Sequence, residues 1–68
     1  MMQNEIDYLN QLLVTCPQET DAINLAIELT ELEDYDALQT SFSTYAATTP
    51  CQINVAACVD RILTGAKA

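Results

Sequence analysis

Carboxylates are the most numerous side chains in this sequence that could carry chemistry. The 68 residues include ten acids and only two bases, Arg61 and Lys67, and the formal net charge is -8. Phosphate groups and anionic lipids would repel such a chain, so we expect no direct nucleic-acid partner and no membrane partner. If the carboxylates bind another molecule, their charge predicts a basic protein partner.

The spacing of seven polar residues predicts a continuous surface patch. Helical residues advance by about 100° each, so positions i, i+3, i+7 and i+10 share a face. Three further acids follow these four positions, and we name the whole set the acidic ridge: Asp21, Asn24, Glu28, Glu31, Glu33, Asp34 and Asp36. Its spacing is comparable to that of phosphates along a nucleic-acid strand, so we predict that the ridge binds the partner. The alternative is a solvated helix face that only keeps the domain soluble.

The sequence lacks the residue patterns of an enzyme. It contains no histidine, and it has no glycine-rich phosphate loop or nucleophile motif. A carboxylate pair could still act as acid and base, but that needs a pocket that perturbs one pKa, and so short a chain leaves little volume for one. We therefore predict that the protein is not an enzyme and binds no cofactor.

The three cysteines, Cys16, Cys51 and Cys58, could bind a metal, react as thiolates or pack as small apolar residues. Structural zinc usually takes four Cys or His ligands at closer spacing, so we predict no metal site and expect Cys51 and Cys58 to pack in the core. Cys16 either packs on the apolar face of the first helix or is a reactive thiolate near the start of the second. An odd cysteine count, without a basic segment and apolar run at the N-terminus, predicts reduced thiols and a cytoplasmic location.

Helices must position these residues, because the chain has one glycine and two prolines, too few for the turns of a β-fold. The central segment, residues 17–32, carries apolar side chains over an arc of roughly 220°, which predicts a helix contacted from several sides. This helix starts either at Pro17, which suits a first helical position, or at Thr20. We expect it to end near Glu33.

Two further helices flank the central one. Residues 4–16 form the first helix, with Asn4 as its N-cap. Residues 35–47 form the third helix and follow Asp34, which we place as an N-cap. Because Ser and Thr compete for backbone hydrogen bonds, we expect the third helix to be the least stable.

The last helix has the clearest boundaries. Thr49, Pro50 and Gln52 form a capping box with proline at the first helical position. Gly65 is placed as the glycine that ends the helix. The connections are predicted to be very short, so neighbouring helices should be antiparallel.

The predicted fold class is all-α, a compact bundle of about four short antiparallel helices. It forms a single domain over residues 1–68, with frayed ends at 1–3 and 66–68. Tyr35, Phe42 and Tyr45 share one face of the third helix and are predicted to pack in the core rather than form a binding patch. The predicted core consists of Ile6, Leu9, Leu13, Ile23, Ala26, Ile27, Leu29, Leu38, Phe42, Val55, Val59 and Ile62.

The function predicted from these features is binding without catalysis. The first hypothesis is an acidic protein that occupies or inhibits a basic, nucleic-acid-handling partner, like the nucleic-acid mimics of phages and mobile elements. The alternative is a small structural or regulatory subunit that associates with itself or a partner through apolar helix edges. These edges are formed by Tyr8, Val14, Leu25, Leu32, Ile53 and Ala57.

Overall fold

Four α-helices make up the part of the chain that the computed structural model describes, residues 2–67, with the side chains of 2–66. They are α1 (Gln3–Thr15), α2 (Thr20–Glu31), α3 (Tyr35–Phe42) and α4 (Pro50–Lys67), and a 3-10 turn, Pro17–Glu19, joins α1 to α2. This confirms the all-α bundle of short helices. None of the helices in residues 2–67 has the length and apolar character required to cross a bilayer.

Two of the predicted helix starts are confirmed by their hydrogen bonds. The Asp34 carboxylate accepts a bond from the Ala37 N–H at 3.1 Å, which makes it the N-cap of α3. At the start of α4, the Gln52 N–H donates to Thr49 Oγ1 at 3.2 Å, and the Thr49 N–H donates to Gln52 Oε1 at 3.1 Å. Each side chain thereby satisfies a backbone donor of the other residue, as in a capping box.

The first helix starts earlier than predicted, and the second starts at the later of its two predicted positions. Asn4 is not an N-cap, because α1 already begins at Gln3, and the Gln3 side chain donates to Asp7 Oδ1 at 2.8 Å across the first turn. The start of α2 is Thr20 rather than Pro17, since the chain first forms the 3-10 turn. The Thr20 hydroxyl donates to the Pro17 carbonyl at 2.6 Å and thereby closes that turn.

The third helix is shorter than predicted and ends at Phe42. The Ser43 hydroxyl donates to the Thr40 carbonyl at 2.8 Å, so a side chain competes for the backbone acceptor where the helix stops. Residues 43–49 therefore form a longer connection than expected, and Tyr45 lies in it rather than on the helix. Its ring still packs on Phe42, with the ring centroids 5.2 Å apart.

The prediction that Gly65 ends the last helix is wrong. Gly65 lies inside α4 and has no positive φ. A Cβ atom at this position would lie 3.0 Å from Met2 Cε. The missing side chain therefore makes room for Met2, which brings the start of α1 against the end of α4. Because the disulfide between Cys16 and Cys51 joins the opposite ends of the same two helices, α1 and α4 are antiparallel.

The core lies between α2 and α4, each of which contacts the other three helices. Most of the predicted core is buried, whereas Ile6, Leu13, Ile27, Leu29 and Phe42 are only partly buried. The radius of gyration of 10.7 Å equals the roughly 11 Å expected for a compact chain of this length. The buried apolar residues are Leu9, Leu12, Cys16, Ile23, Ala26, Leu38, Val55, Cys58, Val59 and Ile62.

Candidate functional site: an acidic ridge and an adjoining cleft

All seven residues of the acidic ridge are exposed. Asp21, Asn24, Glu28 and Glu31 lie along α2, and the rise per residue separates the first from the last by about 15 Å. The remaining three acids continue from the end of α2 through the turn into the first turn of α3. Because α2 is packed against three helices, the ridge is carried by a fixed part of the bundle.

Three of the ridge acids have a role in helix stability. Asp21 lies in the first turn of α2 and Asp36 in the first turn of α3. Asp34 caps α3 through its carboxylate. Negative charge at the start of a helix is favoured by the helix dipole, typically by about 0.3–1 kcal/mol per group. The exposure of these three acids is therefore explained without a binding partner.

Glu31 and Glu33 lie where the helix dipole disfavours negative charge. Glu31 is the last residue of α2, Glu33 follows it, and no basic residue stands in the last turn. Of the two basic residues, Arg61 lies on α4, and its guanidinium is placed over the Tyr8 ring, 5.6 Å from the ring centroid. The end of α2 thus concentrates negative charge that does not serve the helix, and a cation from another molecule would relieve this repulsion.

Glu33 also has an unusual backbone conformation. Its φ angle is 57°, in the left-handed region that glycine adopts most easily. The Glu33 N–H donates to the Thr30 carbonyl at 3.1 Å, and the Asp34 N–H donates to the Leu29 carbonyl at 3.0 Å. This pair of bonds is a Schellman motif, which usually has glycine at the position of Glu33. A non-glycine residue in this conformation costs roughly 1–2 kcal/mol.

Replacing Glu33 with glycine should therefore stabilise the protein. We expect Glu33→Gly to raise the free energy of unfolding by about 1 kcal/mol, because it relieves the strained backbone and removes a charge from the end of α2. Glu33→Ala is the matched control, since it removes the same charge but keeps the Cβ. Urea denaturation followed by circular dichroism measures both variants. Equal stabilisation by alanine and glycine would show that charge, not strain, causes the effect.

An open cleft of about 400 Å³ adjoins the end of the ridge, between the start of α1 and the turn after α2. Met2, Ile6 and Tyr35 give it an apolar part, and Glu31 and Glu33 line it as well. The cleft therefore combines apolar surface with two carboxylates. Local sequence pattern does not predict this cleft, because its lining residues come from segments that lie far apart in the sequence.

The cysteines differ from the prediction in their redox state. Cys16 and Cys51 form a disulfide, with their Cα atoms 5.8 Å apart. The expectation of reduced thiols is therefore wrong for this pair, and Cys16 is not a reactive thiolate. Their predicted packing is nevertheless found, because Cys16 is buried in the core and Cys51 packs partly buried against it. The prediction for Cys58 is confirmed, because it is a buried free cysteine whose S–H donates to the Glu5 carbonyl at 3.6 Å. Burial raises the pKa of the Cys58 thiol, which keeps it neutral and unreactive.

A hydrogen bond reinforces the end of the molecule that the disulfide holds. The Tyr45 hydroxyl, in the connection before α4, donates to the Glu19 carboxylate in the 3-10 turn. Partial burial, this hydrogen bond and the negative charge of Glu19 all raise the pKa of Tyr45. A Tyr45 on the third helix, as predicted, would not make this contact, which depends on the end of α3 at Phe42.

The contribution of Tyr45 to stability should depend on pH. The raised pKa means that the folded protein keeps the Tyr45 proton better than the unfolded chain does. The stabilisation is thus fully present below the ordinary tyrosine pKa of about 10 and is lost as pH rises through the folded-state value. We expect Tyr45→Phe to lower the free energy of unfolding by about 1 kcal/mol at pH near 8, and by much less near pH 11.

Urea denaturation of wild type and Tyr45→Phe at the two pH values measures this difference. Cys58 titrates in both proteins, so its contribution cancels in the comparison. If the difference in free energy of unfolding between wild type and Tyr45→Phe stays constant with pH, the assigned role of the Tyr45 proton is wrong.

Several apolar side chains at the helix edges are exposed, as the sequence analysis expected. The exposed fractions are 81% for Val14, 66% for Leu32, 51% for Ile53 and 40% for Leu25. Ala57 is also exposed, whereas Tyr8 is half-buried beneath the Arg61 guanidinium. The aromatic residues Tyr35, Phe42 and Tyr45 pack partly buried against the core, as predicted for a core role.

No protein-family model, curated protein or solved structure matches the chain. The functional argument therefore depends on the charges, exposures and contacts of the residues described above.

Proposed function

We propose that the protein is a non-catalytic binding protein whose acidic ridge occupies the nucleic-acid site of a basic protein partner and so inhibits it. The formal net charge of -8 supports attraction to a basic groove. The ridge supplies six carboxylates, three along α2 over about 15 Å and three from the end of α2 into α3, on a helix that packing holds in place. Such a partner would be bound quickly, and its affinity would fall with salt.

The observation that carries this proposal is the placement of Glu31 and Glu33. Both carboxylates are exposed at the end of α2, where no basic residue of the last turn offsets them. This placement opposes the helix dipole, and Glu33 adds a strained backbone. A basic partner accounts for the charge placement, because its positive charge would be attracted by the carboxylates and by the negative end of α2.

The mechanism is competition rather than chemistry. The acidic ridge and the nucleic acid would both need the same basic groove, so occupation by one excludes the other. No covalent step, cofactor or metal is required, and the protein itself does not contact nucleic acid. The rigid ridge loses little conformational freedom on binding, which favours a protein mimic over a flexible acidic tail.

A displacement assay tests the proposal. A fluorescent DNA or RNA oligonucleotide is bound to each of a panel of basic nucleic-acid-binding proteins, and its release is followed by anisotropy as this protein is added. We expect release from at least one panel member at low salt, with little release at high salt. If a broad panel shows no release at low salt, the proposed function is wrong.

The exposed apolar edges support a second candidate, a structural or regulatory subunit. Val14, Leu32 and Ile53 expose more than half of their side chains, and contiguous apolar patches usually mark interfaces. Association with a second copy or with another subunit would then not depend on charge. Sedimentation at several protein concentrations distinguishes the candidates, because self-association that persists at high salt favours the subunit.

The compartment is also part of the proposal. The sequence predicts the cytoplasm, where nucleic-acid-handling partners occur, whereas the disulfide favours an oxidising compartment, because thiols in a mesophilic cytosol are usually kept reduced. Trapping thiols in rapidly acid-quenched cells distinguishes a reducing cytoplasm from an oxidising compartment. Cysteines 16 and 51 recovered in oxidised form would assign the protein to an oxidising compartment.

A further inference from the structure

We propose that the cleft beside the acidic ridge is an anchor pocket for an arginine side chain of the basic partner. This inference rests on the proposed function and adds to it the chemistry of one contact. The ridge would attract the partner over a distance, and the cleft would fix its position by taking one side chain.

The apolar part of the cleft suits the arginine stem and the face of its guanidinium. Met2 and Ile6 offer aliphatic surface to the methylene groups, which long cationic side chains commonly bury. Tyr35 contributes an aromatic ring, on which a guanidinium stacks better than an ammonium. Met2 is supported by α4, because Gly65 leaves room for its methyl group.

The charge of the cleft suits a cation. Glu31 and Glu33 both line it, and the negative end of the α2 dipole lies at the same place. A guanidinium has five N–H donors in a planar fork, so it can bond to carboxylates while its face contacts an aromatic ring. Lysine would satisfy the charge but not the stacking, which is why we assign arginine.

The cleft is large enough to hold one long side chain. Its volume of about 400 Å³ is near the lower end of the range found for ligand pockets, about 300–1,000 Å³. Thr30, which also lines the cleft, is buried, and its hydroxyl already donates to the Ala26 carbonyl at 2.7 Å. Thr30 therefore needs no partner from the ligand. Gln3 also lines the cleft, but its amide N–H already donates to Asp7 Oδ1 at 2.8 Å, so the two glutamates are the charged groups that select the ligand.

An NMR titration tests the anchor directly. Acetyl-arginine amide is added to the uniformly ¹⁵N-labelled protein with its disulfide intact, and acetyl-citrulline amide, which has the same shape without the charge, is the comparison. We expect shifts at the amides of Met2, Ile6, Glu31, Glu33 and Tyr35, with citrulline at least about tenfold weaker. Equal binding of the two amides, or no binding of the arginine amide at the cleft, would overturn the proposal.

Two double variants with the same net charge separate the anchor from the rest of the ridge. Glu31→Gln with Glu33→Gln should weaken binding of acetyl-arginine amide about tenfold or more, whereas Asp21→Asn with Glu28→Gln should change it less than about twofold. An equal effect of both pairs would refute the anchor pocket. The displacement assay reports on the ridge as a whole. If only the anchor proposal is wrong, the protein still releases the oligonucleotide but does not bind acetyl-arginine amide at the cleft. If the proposed function is wrong, the oligonucleotide is not released.

Discussion

Loss of the Cys16–Cys51 disulfide is expected to cost about 4 kcal/mol of stability, enough to unfold much of the protein. The disulfide joins residues 35 apart in the sequence, and the chain-entropy estimate for a closed loop of that length is close to 4 kcal/mol. A domain of 68 residues has a total stability of only about 3–10 kcal/mol at typical values per residue. The bond therefore supplies a large share of the stability of so small a core.

Circular dichroism during urea denaturation, with and without a phosphine reductant, measures this loss. The double variant Cys16→Ser with Cys51→Ser should behave like the reduced wild type and should not respond to the reductant. Cys58→Ala keeps the disulfide and controls for reaction at the free thiol, so the reductant should destabilise it as much as wild type. A reduced protein that keeps its unfolding midpoint would show that helix packing alone holds the fold.

Neutralising three ridge acids should separate binding from folding. The triple variant Asp21→Asn, Glu28→Gln, Glu31→Gln removes three attractive charges from an exposed helix face. We expect its affinity for the basic partner to fall by orders of magnitude, mostly through slower association, and its salt dependence to decrease. The free energy of unfolding should change by only about 0.5 kcal/mol, because losing a favourable charge at the start of α2 is offset by losing repulsion near its end.

Two quantities are measured on the same sample. They are the melting temperature and the affinity for the panel member that released its oligonucleotide in the displacement assay. The matched control is Glu5→Gln, Asp7→Asn, Asp60→Asn, which changes the net charge equally but lies outside the ridge on α1 and α4. The control should lose far less affinity than the ridge variant. If the ridge variant stays within about twofold of wild type at low salt while folded, the ridge is a solvated face and the apolar subunit becomes the better explanation.

Features set by neighbouring residues could be predicted from the sequence. The caps at Asp34 and Thr49 depend on side chains three residues from their partners, so their types and spacing were sufficient. The exposure of the acidic ridge also followed from helical periodicity. The position of Tyr45 could not be predicted in this way, because it bonds to Glu19, a residue 26 positions away, and periodicity carries no information about such a contact.

The disulfide could be predicted only by also considering which helices are neighbours in the bundle. Cys16 precedes one proline at a predicted helix boundary, and Cys51 follows the other. In an antiparallel bundle the end of the first helix lies beside the start of a neighbouring fourth, so adjacency of α1 and α4 would have brought the cysteines together. Adjacency depends on packing rather than on local pattern. The cleft could not be predicted for the same reason, since its lining residues come from the start of α1 and from the turn after α2, which only packing brings together.

The disulfide also turns the middle of the chain into a covalent ring, with α1 and the rest of α4 attached as two arms. Its junctions are Cys16 and Cys51, so the whole acidic ridge, residues 21–36, belongs to the ring. A protease that cuts once in the connection 43–49 would open the ring without releasing a fragment. The ridge would stay attached to both arms until a reductant acts, and the cut would be seen only on a reducing gel.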